Sequence, residues 1–266
     1  MKTIILFIKG LIIGIGKIIP GVSGAVLAII LKVYDEGIER IVNIFSNFKK
    51  NILFLLTIGI GILLGIILFS NIINYTLNNY YVITMLFFVG LIVGGIPNIL
   101  KEVDKKDYKY TIIITIVFTL ISLFNINNNY IIKSNFIDYI IFFIGGIIET
   151  CGTVIPGLSS TALLLILGIY NIIIESIGNI SKLIIDYKVL IPFSIGIISS
   201  LMFVTKIISN ALNKHKKKTY SIILGLILSS IIVLIIKTFT YQTLLLELII
   251  GLIFMIIGII ISNILE

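Results

Sequence analysis

From residue 51 to residue 73 the chain reads NILFLLTIGIGILLGIILFSNII, without one charged side chain, and the run from 244 to 265 carries only Glu247. Runs of this kind match the roughly 20 apolar residues that cross a hydrocarbon core of about 30 Å as a helix. They leave no polar face for water, which excludes the surface helices of a soluble domain. With 59% hydrophobic and 12% charged residues among 266, the chain reads as an all-α polytopic membrane protein. Lys2 and Lys9 give it a basic start. No small-residue cleavage site leads from there into a polar domain, so the first apolar run is taken as structure rather than a signal peptide.

The net charge of +8 comes from lysines grouped in short loops between apolar runs. That grouping encodes membrane topology, and no nucleic-acid partner is expected from it. A lone Cys151 excludes an internal disulfide and a multi-cysteine metal site, and the lone His215 lies in the loop NKHKKK. No metal or cofactor is therefore expected.

Pro20 and Pro156 lie 136 residues apart, and at that offset residues 10–41 align with 146–177 with fourteen of 32 positions identical. In an Ile-rich chain some matches are free, but Gly16, Pro20, Gly21, Ser23, Tyr34 and Glu39 are not. The repeat continues as GLIVGGI at 90–96 and GLILSSI at 225–231. Each half reads as one interrupted apolar segment followed by three uninterrupted ones. Repeat 1 is 1–125, with a hairpin at 4–34 and spans at 51–73, 81–100 and 110–125. Repeat 2 is 136–266, with a hairpin at 136–178 and spans at 189–209, 220–239 and 244–265. Together they form a single membrane domain.

If each interrupted segment crosses, the halves are parallel, and the basic loops at 35–50 and 101–109 lie opposite the one at 210–219. If each is re-entrant, the halves are inverted and these loops share one side. The positive-inside rule favours the second: two inverted repeats, each a Pro-Gly-broken re-entrant helical hairpin plus three transmembrane helices. Both termini then face the cytoplasm. The two limbs of the first hairpin would rise only about 20 to 24 Å each, too little to span the core.

Pro20 removes a backbone donor, Gly21 permits a tight reversal and Ser23 suits a helix N-cap. Pro156, Gly157 and Ser159 repeat the set. A single such pair would fit a mere kink. Its duplication inside apolar segments predicts a polar site, because non-helical backbone at membrane depth persists only where protein or a wet cavity satisfies it. Broken-helix N-termini near the midplane present free N–H groups to anions. The candidate binding residues are Lys17, Pro20, Gly21, Ser23, Gly24, Pro156, Gly157, Ser159, Ser160 and Thr161, with Glu149 as a coupling candidate, since ionisable groups at this depth are costly. Lys32, near the membrane edge, suits snorkelling. Glu39, Arg40 and Glu175 are secondary candidates that fit an interfacial position equally well.

GIGKIIPGVSGAVLAIILKVYDEGIERI and ETCGTVIPGLSSTALLLILGIYNIIIESI resemble the two signature segments of the PopT-type polyprenyl-phosphate transporters, and the resemblance covers nearly the whole chain. The family's first motif usually runs PGVSGGT with Asp or Asn three residues before the proline; here Ala25, Val26 and Lys17 occupy those places. Ser160 and Thr161 replace the Gly-Ser of the second motif. The resemblance implies return of undecaprenyl phosphate, or a related polyprenyl phosphate, from the outer to the cytoplasmic leaflet of the plasma membrane for reuse in cell-surface glycan synthesis. On that reading the tips around Ser23 and Ser159 hold the phosphate, Lys17 is its counter-charge, and Glu149 carries a proton or serves another coupling ion.

A secondary transporter of a small soluble anion or ion needs the same midplane site and stays open as the alternative. Enzyme readings fare worse. GVSG at 21–24 matches the Gly-x-Ser-Gly of rhomboid proteases, but a serine nucleophile needs a base within reach and His215 lies in a charged loop. A lipid phosphatase lacks histidine or an Arg-rich phosphate site within the spans.

Overall fold

The computed structural model describes residues 2–19, 21–123, 130–132, 136–179, 185–240 and 245–265, and every regular element among them is helical. The order is α1 (Lys2–Ile18), α2 (Gly24–Ile30), α3 (Tyr34–Val42), α4 (Phe48–Asn79), α5 (Tyr81–Lys101), a 3-10 turn (Lys105–Asp107), α6 (Tyr108–Leu123), α7 (Phe136–Val154), α8 (Ser160–Ile166), α9 (Tyr170–Asn179), α10 (Tyr187–Phe239) and α11 (Leu245–Leu265). Helices α4, α5, α7, α10 and α11 are long and apolar enough to cross a membrane, and the pair α8–α9, bent by 113°, makes a sixth if counted as one span. His215, at φ −140° and ψ 50°, breaks the 53 residues of α10 into two limbs.

The returning segments are shorter than the sequence implies: α2 and α8 have seven residues each, about 10 Å of helix. Each stops at a left-handed residue, Lys32 at φ 55° and Gly168 at φ 74°. The N–H of Lys32 donates to the Ile29 carbonyl and that of Val33 to Ala28, while Gly168 and Ile169 donate to Leu165 and Leu164. These are paired Schellman closures, a motif that favours glycine at the left-handed position. Helix α7, with 19 residues, reaches about 28 Å, more than the roughly 20 to 24 Å expected of each limb of the first hairpin.

Helices in lipid gain little from apolar contact alone, so small residues decide which backbones approach. A Cβ on Gly10 of α1 would lie 2.5 Å from the Ile58 carbonyl oxygen of α4, and one on Gly146 of α7 would lie 2.1 Å from the Phe193 oxygen of α10. Gly10 and Gly146 are repeat mates, so one device docks the entering helix of each half onto the next long helix. Gly146→Val is expected to cost about 1–3 kcal/mol by overpacking, read as a lower unfolding temperature in detergent.

The last helix of each half packs on the other half. Gly90 of α5 meets α11 at the Met255 oxygen, 2.1 Å from its notional Cβ, and Gly225 of α10 meets α6 at the Thr111 oxygen, 2.7 Å. Thr111 and Thr115 donate to the Ser221 and Gly225 carbonyls at 2.9 and 3.1 Å. At one end of the molecule Lys216 pairs with Glu102 at 2.8 Å, Lys217 with Asp104 at 3.5 Å, and the Tyr220 hydroxyl donates to Asp35 at 2.9 Å. Exposed ion pairs add little stability; these matter because they bring the loop after α5, the break in α10 and the start of α3 together.

Candidate functional site

Both Pro-Gly turns end against the second limb of α10. Gly21 takes φ 89° and Gly157 φ 80°, the left-handed region where only glycine is free of strain. The Ser230 hydroxyl donates to the Gly21 carbonyl at 3.3 Å. A Cβ on Gly157 would stand 2.6 Å from the Ile227 nitrogen and the Leu226 carbonyl carbon. Tip 2 is thus seated on backbone, whereas a Cβ on Gly21 would meet the Leu234 side chain at 2.8 Å.

The tips also meet each other. The Ser23 hydroxyl donates to the Gly152 carbonyl of α7 at 3.5 Å, and Gly152 in turn lies against Ser160, whose Cβ would be 2.5 Å from one on the glycine. The Ser159 hydroxyl caps α8 by accepting from the Ala162 N–H at 3.3 Å. Between the tips is a cavity of about 350 Å³ whose wall includes Lys17, Ser23, Glu149, Ser159, Ser160 and Thr161. Gly21 and Gly24 also border it.

Among the described residues Lys17 and Glu149 are its charged ones, and no ion pair joins them. Lys17 runs beside Gly24, with Cγ 2.7 Å from a notional Cβ there. The adjoining cavity, about 90 Å³, takes in Gly157 together with Ser122, Ser229, Ser230 and Lys237. Helices of two turns lend little macrodipole, so the positive field in the main cavity comes chiefly from Lys17.

Pro156 is buried just before Gly157, and Pro20 lies outside the described residues. Glu39 and Glu175 are exposed and do not line this cavity. Arg40 is held elsewhere: it pairs with Glu36 at 2.6 Å, donates to Asn51 at 3.0 Å and stacks over the Phe54 ring at 4.5 Å, tying α3 to α4. Thr150, polar and on the entering helix, accepts from Ser200 at 2.8 Å and donates to Gly146 and Ile197 carbonyls, which makes it a helix-packing residue.

Thr153 also lines the cavity, and the sequence reading passed over it. The signal was available, for Thr153 is the repeat mate of Lys17. The repeat-equivalent tyrosines behave differently. Tyr34 is buried and its hydroxyl donates to the Val154 carbonyl at 2.8 Å, closing α3 onto the end of α7. Its mate Tyr170 lines the cavity together with Ile173, Ile174 and Ile177 of α9. Ile174 is 51% and Ile177 46% exposed, so this wall continues onto the outer surface of the helix bundle.

A family model described as undecaprenyl phosphate translocase-like matches residues 13–246 and 180–265. The chain belongs to that family. The polyprenyl-phosphate transporter of Staphylococcus aureus is 30% identical over 235 residues, 84% of this chain and 83% of its own. A protein of the same name from Vibrio cholerae is 26% identical over 247 residues, 87% of this chain and 77% of its own. No solved structure matches the chain. This family member is a multi-pass membrane protein of apolar helices whose relatives are transporters by name.

Proposed function

We propose that this protein carries polyprenyl phosphate from the outer to the cytoplasmic leaflet of the plasma membrane, returning the carrier lipid for reuse in cell-surface glycan synthesis. The observation that carries the reading is the convergence of both Pro-Gly tips on one cavity walled by Lys17 and the hydroxyls of Ser23, Ser159, Ser160 and Thr161. A phosphate monoester offers charge and acceptor oxygens to an ammonium and to hydroxyl donors. Its isoprenoid tail needs no polar path. The exposed flank of α9 at Ile174 and Ile177 gives the tail a way to stay in the bilayer while the head group sits between the tips.

The inverted arrangement is supported by the exchange of α6 and α11 between halves. It is also supported by the meeting of the start of α3 at Asp35, the loop at Glu102–Asp104 and the break in α10 beside Lys216–Lys217, which parallel halves would set on opposite faces. By the positive-inside rule that end is cytoplasmic. Tyr34 then seals the cytoplasmic side while the cavity extends along α9, so this geometry accepts the head group from outside. Rocking of one repeat against the other would open the α3 side and release it inward.

Glu149 is the coupling group in this account. Glu149→Gln is expected to keep binding but flatten the pH dependence of transport; an unchanged rate and pH profile removes Glu149 from the mechanism. The site itself is tested with a polyprenyl phosphate carrying a photoreactive group beside the phosphate. Cross-links are expected on the tips and α7, and to fall sharply in Ser23→Ala/Ser159→Ala. Labelling confined to lipid-facing helices, and indifferent to that double substitution, would contradict the site.

A further inference from the structure

Apart from the cavities at the tips lies another, about 430 Å³, whose wall brings together Lys9 of α1, Lys32 of the α2–α3 turn, Arg40 of α3 and Lys50 of α4, with Glu36 as its one carboxylate among the described residues. Glu36 is taken up by Arg40, which leaves three lysines uncompensated by any described carboxylate of the wall. Lys9 spends one of its three donors on the Leu31 carbonyl at 2.6 Å. The same cavity has an apolar flank of Ile5 and Leu53, which are 48% and 63% exposed on the outside of the bundle. Cations above and a lipid-facing apolar wall beside them match the two ends of an anionic lipid.

Lys32 is the decisive residue. It is the only non-glycine at positive φ among the described residues, and its repeat mate in the same Schellman closure is Gly168. A lysine there strains the backbone where glycine would not, so topology alone is a poor account of its presence. At the same offset Gly145 stands for Lys9, Ser176 for Arg40 and Asp186 for Lys50, so the equivalent positions of the second half carry no cation. Lys32 also borders the neighbouring cavity beside Asp35, Asn98 and Glu102, and thus stands on the partition between the two.

We infer that Lys9, Lys32 and Lys50 form a second anion site, distinct from the tips, that holds the phosphate of a lipid head group in the leaflet at the α3 end of the molecule. The site requires only an anionic lipid in that leaflet and does not rest on the transport reading.

The test is native mass spectrometry of delipidated protein in which Lys17→Gln/Ser23→Ala/Ser159→Ala has removed the tip site. It is titrated with phosphatidylglycerol, farnesyl phosphate or inorganic phosphate. One lipid phosphate is expected to bind, with inorganic phosphate weaker for want of the apolar flank. Adding Lys32→Gly is expected to weaken lipid binding about fivefold, the worth of one basic residue near a membrane surface, and Lys32→Arg to restore it. Because Lys32→Gly relieves the strained backbone, its lipid-free unfolding temperature should rise. Binding that is indifferent to Lys32→Gly, or inorganic phosphate that binds as tightly as either lipid, would overturn the inference.

Discussion

Lys17→Glu is expected to lower transport of polyprenyl phosphate by about a hundredfold, and Lys17→Gln by about tenfold, without loss of the folded protein. Among the described residues Lys17 is the one cation on the wall between the tips and makes no ion pair there, so the fold does not lean on its charge. Two unit charges about 4 Å apart interact by about 4 kcal/mol at an effective dielectric of about 20, and a third of that is a factor of ten in binding. Neutralising Lys17 forfeits part of this attraction; an acid in its place replaces attraction with repulsion. Transport in vesicles, compared with unfolding temperature in detergent, separates the effect on substrate from an effect on folding. Wild-type rates in Lys17→Glu would place the phosphate elsewhere.

Gly157→Ala is expected to be the most damaging single methyl group in the tips, destabilising by about 3 kcal/mol. The left-handed backbone at φ 80° costs an L side chain about 1–2 kcal/mol. The added Cβ would also press on the backbone of Leu226 and Ile227 at 2.6 Å, which cannot rotate aside, adding about 1–3 kcal/mol of overpacking. Gly21→Ala shares the first cost but meets only the Leu234 methyl, so it should lose about 1–2 kcal/mol. Gly37→Ala and Gly59→Ala serve as controls: both are helical, with nothing within 4 Å of the new methyl, and should gain up to about 1 kcal/mol. Denaturation midpoints in a single detergent rank the four. Equal losses at Gly157 and Gly37 would mean that tip 2 is not seated on α10 as described.

The sequence carried the features that act through the backbone or through gross solvation. Charge-free runs announced the long helices, and the Pro-Gly pairs announced breaks that do occur as left-handed turns at Gly21 and Gly157. What it did not carry was partner choice between equally apolar helices. That α6 packs on α10 and α11 on α5 is written in which glycines face which carbonyls, at Gly90 and Gly225, and in the threonines of α6 that reach α10, and neither a glycine nor a threonine in a run names its neighbour. The second break, at Lys32, was hidden because a lysine stands in a glycine's place; aligning it with Gly168 would have exposed it. Of the cavity wall between the tips, Lys17, Ser23, Ser159, Ser160 and Thr161 were legible as candidates because polar groups are rare inside apolar segments. Thr153, Ser229 and Ser230 were not, since a helical Ser or Thr can satisfy itself on its own backbone and so marks no site by its presence.

Translocation itself is read in proteoliposomes containing a polyprenyl phosphate and an external, membrane-impermeant phosphatase, with a proton gradient of either sign. The wild-type protein is expected to expose the inner-leaflet pool to the enzyme, so that phosphate release passes the outer-leaflet fraction and approaches completion, while Ser23→Ala/Ser159→Ala stops at that fraction. Release that halts at the outer-leaflet fraction with folded wild-type protein, as in empty liposomes, would contradict lipid-phosphate translocation and leave a soluble anion as the cargo of the site.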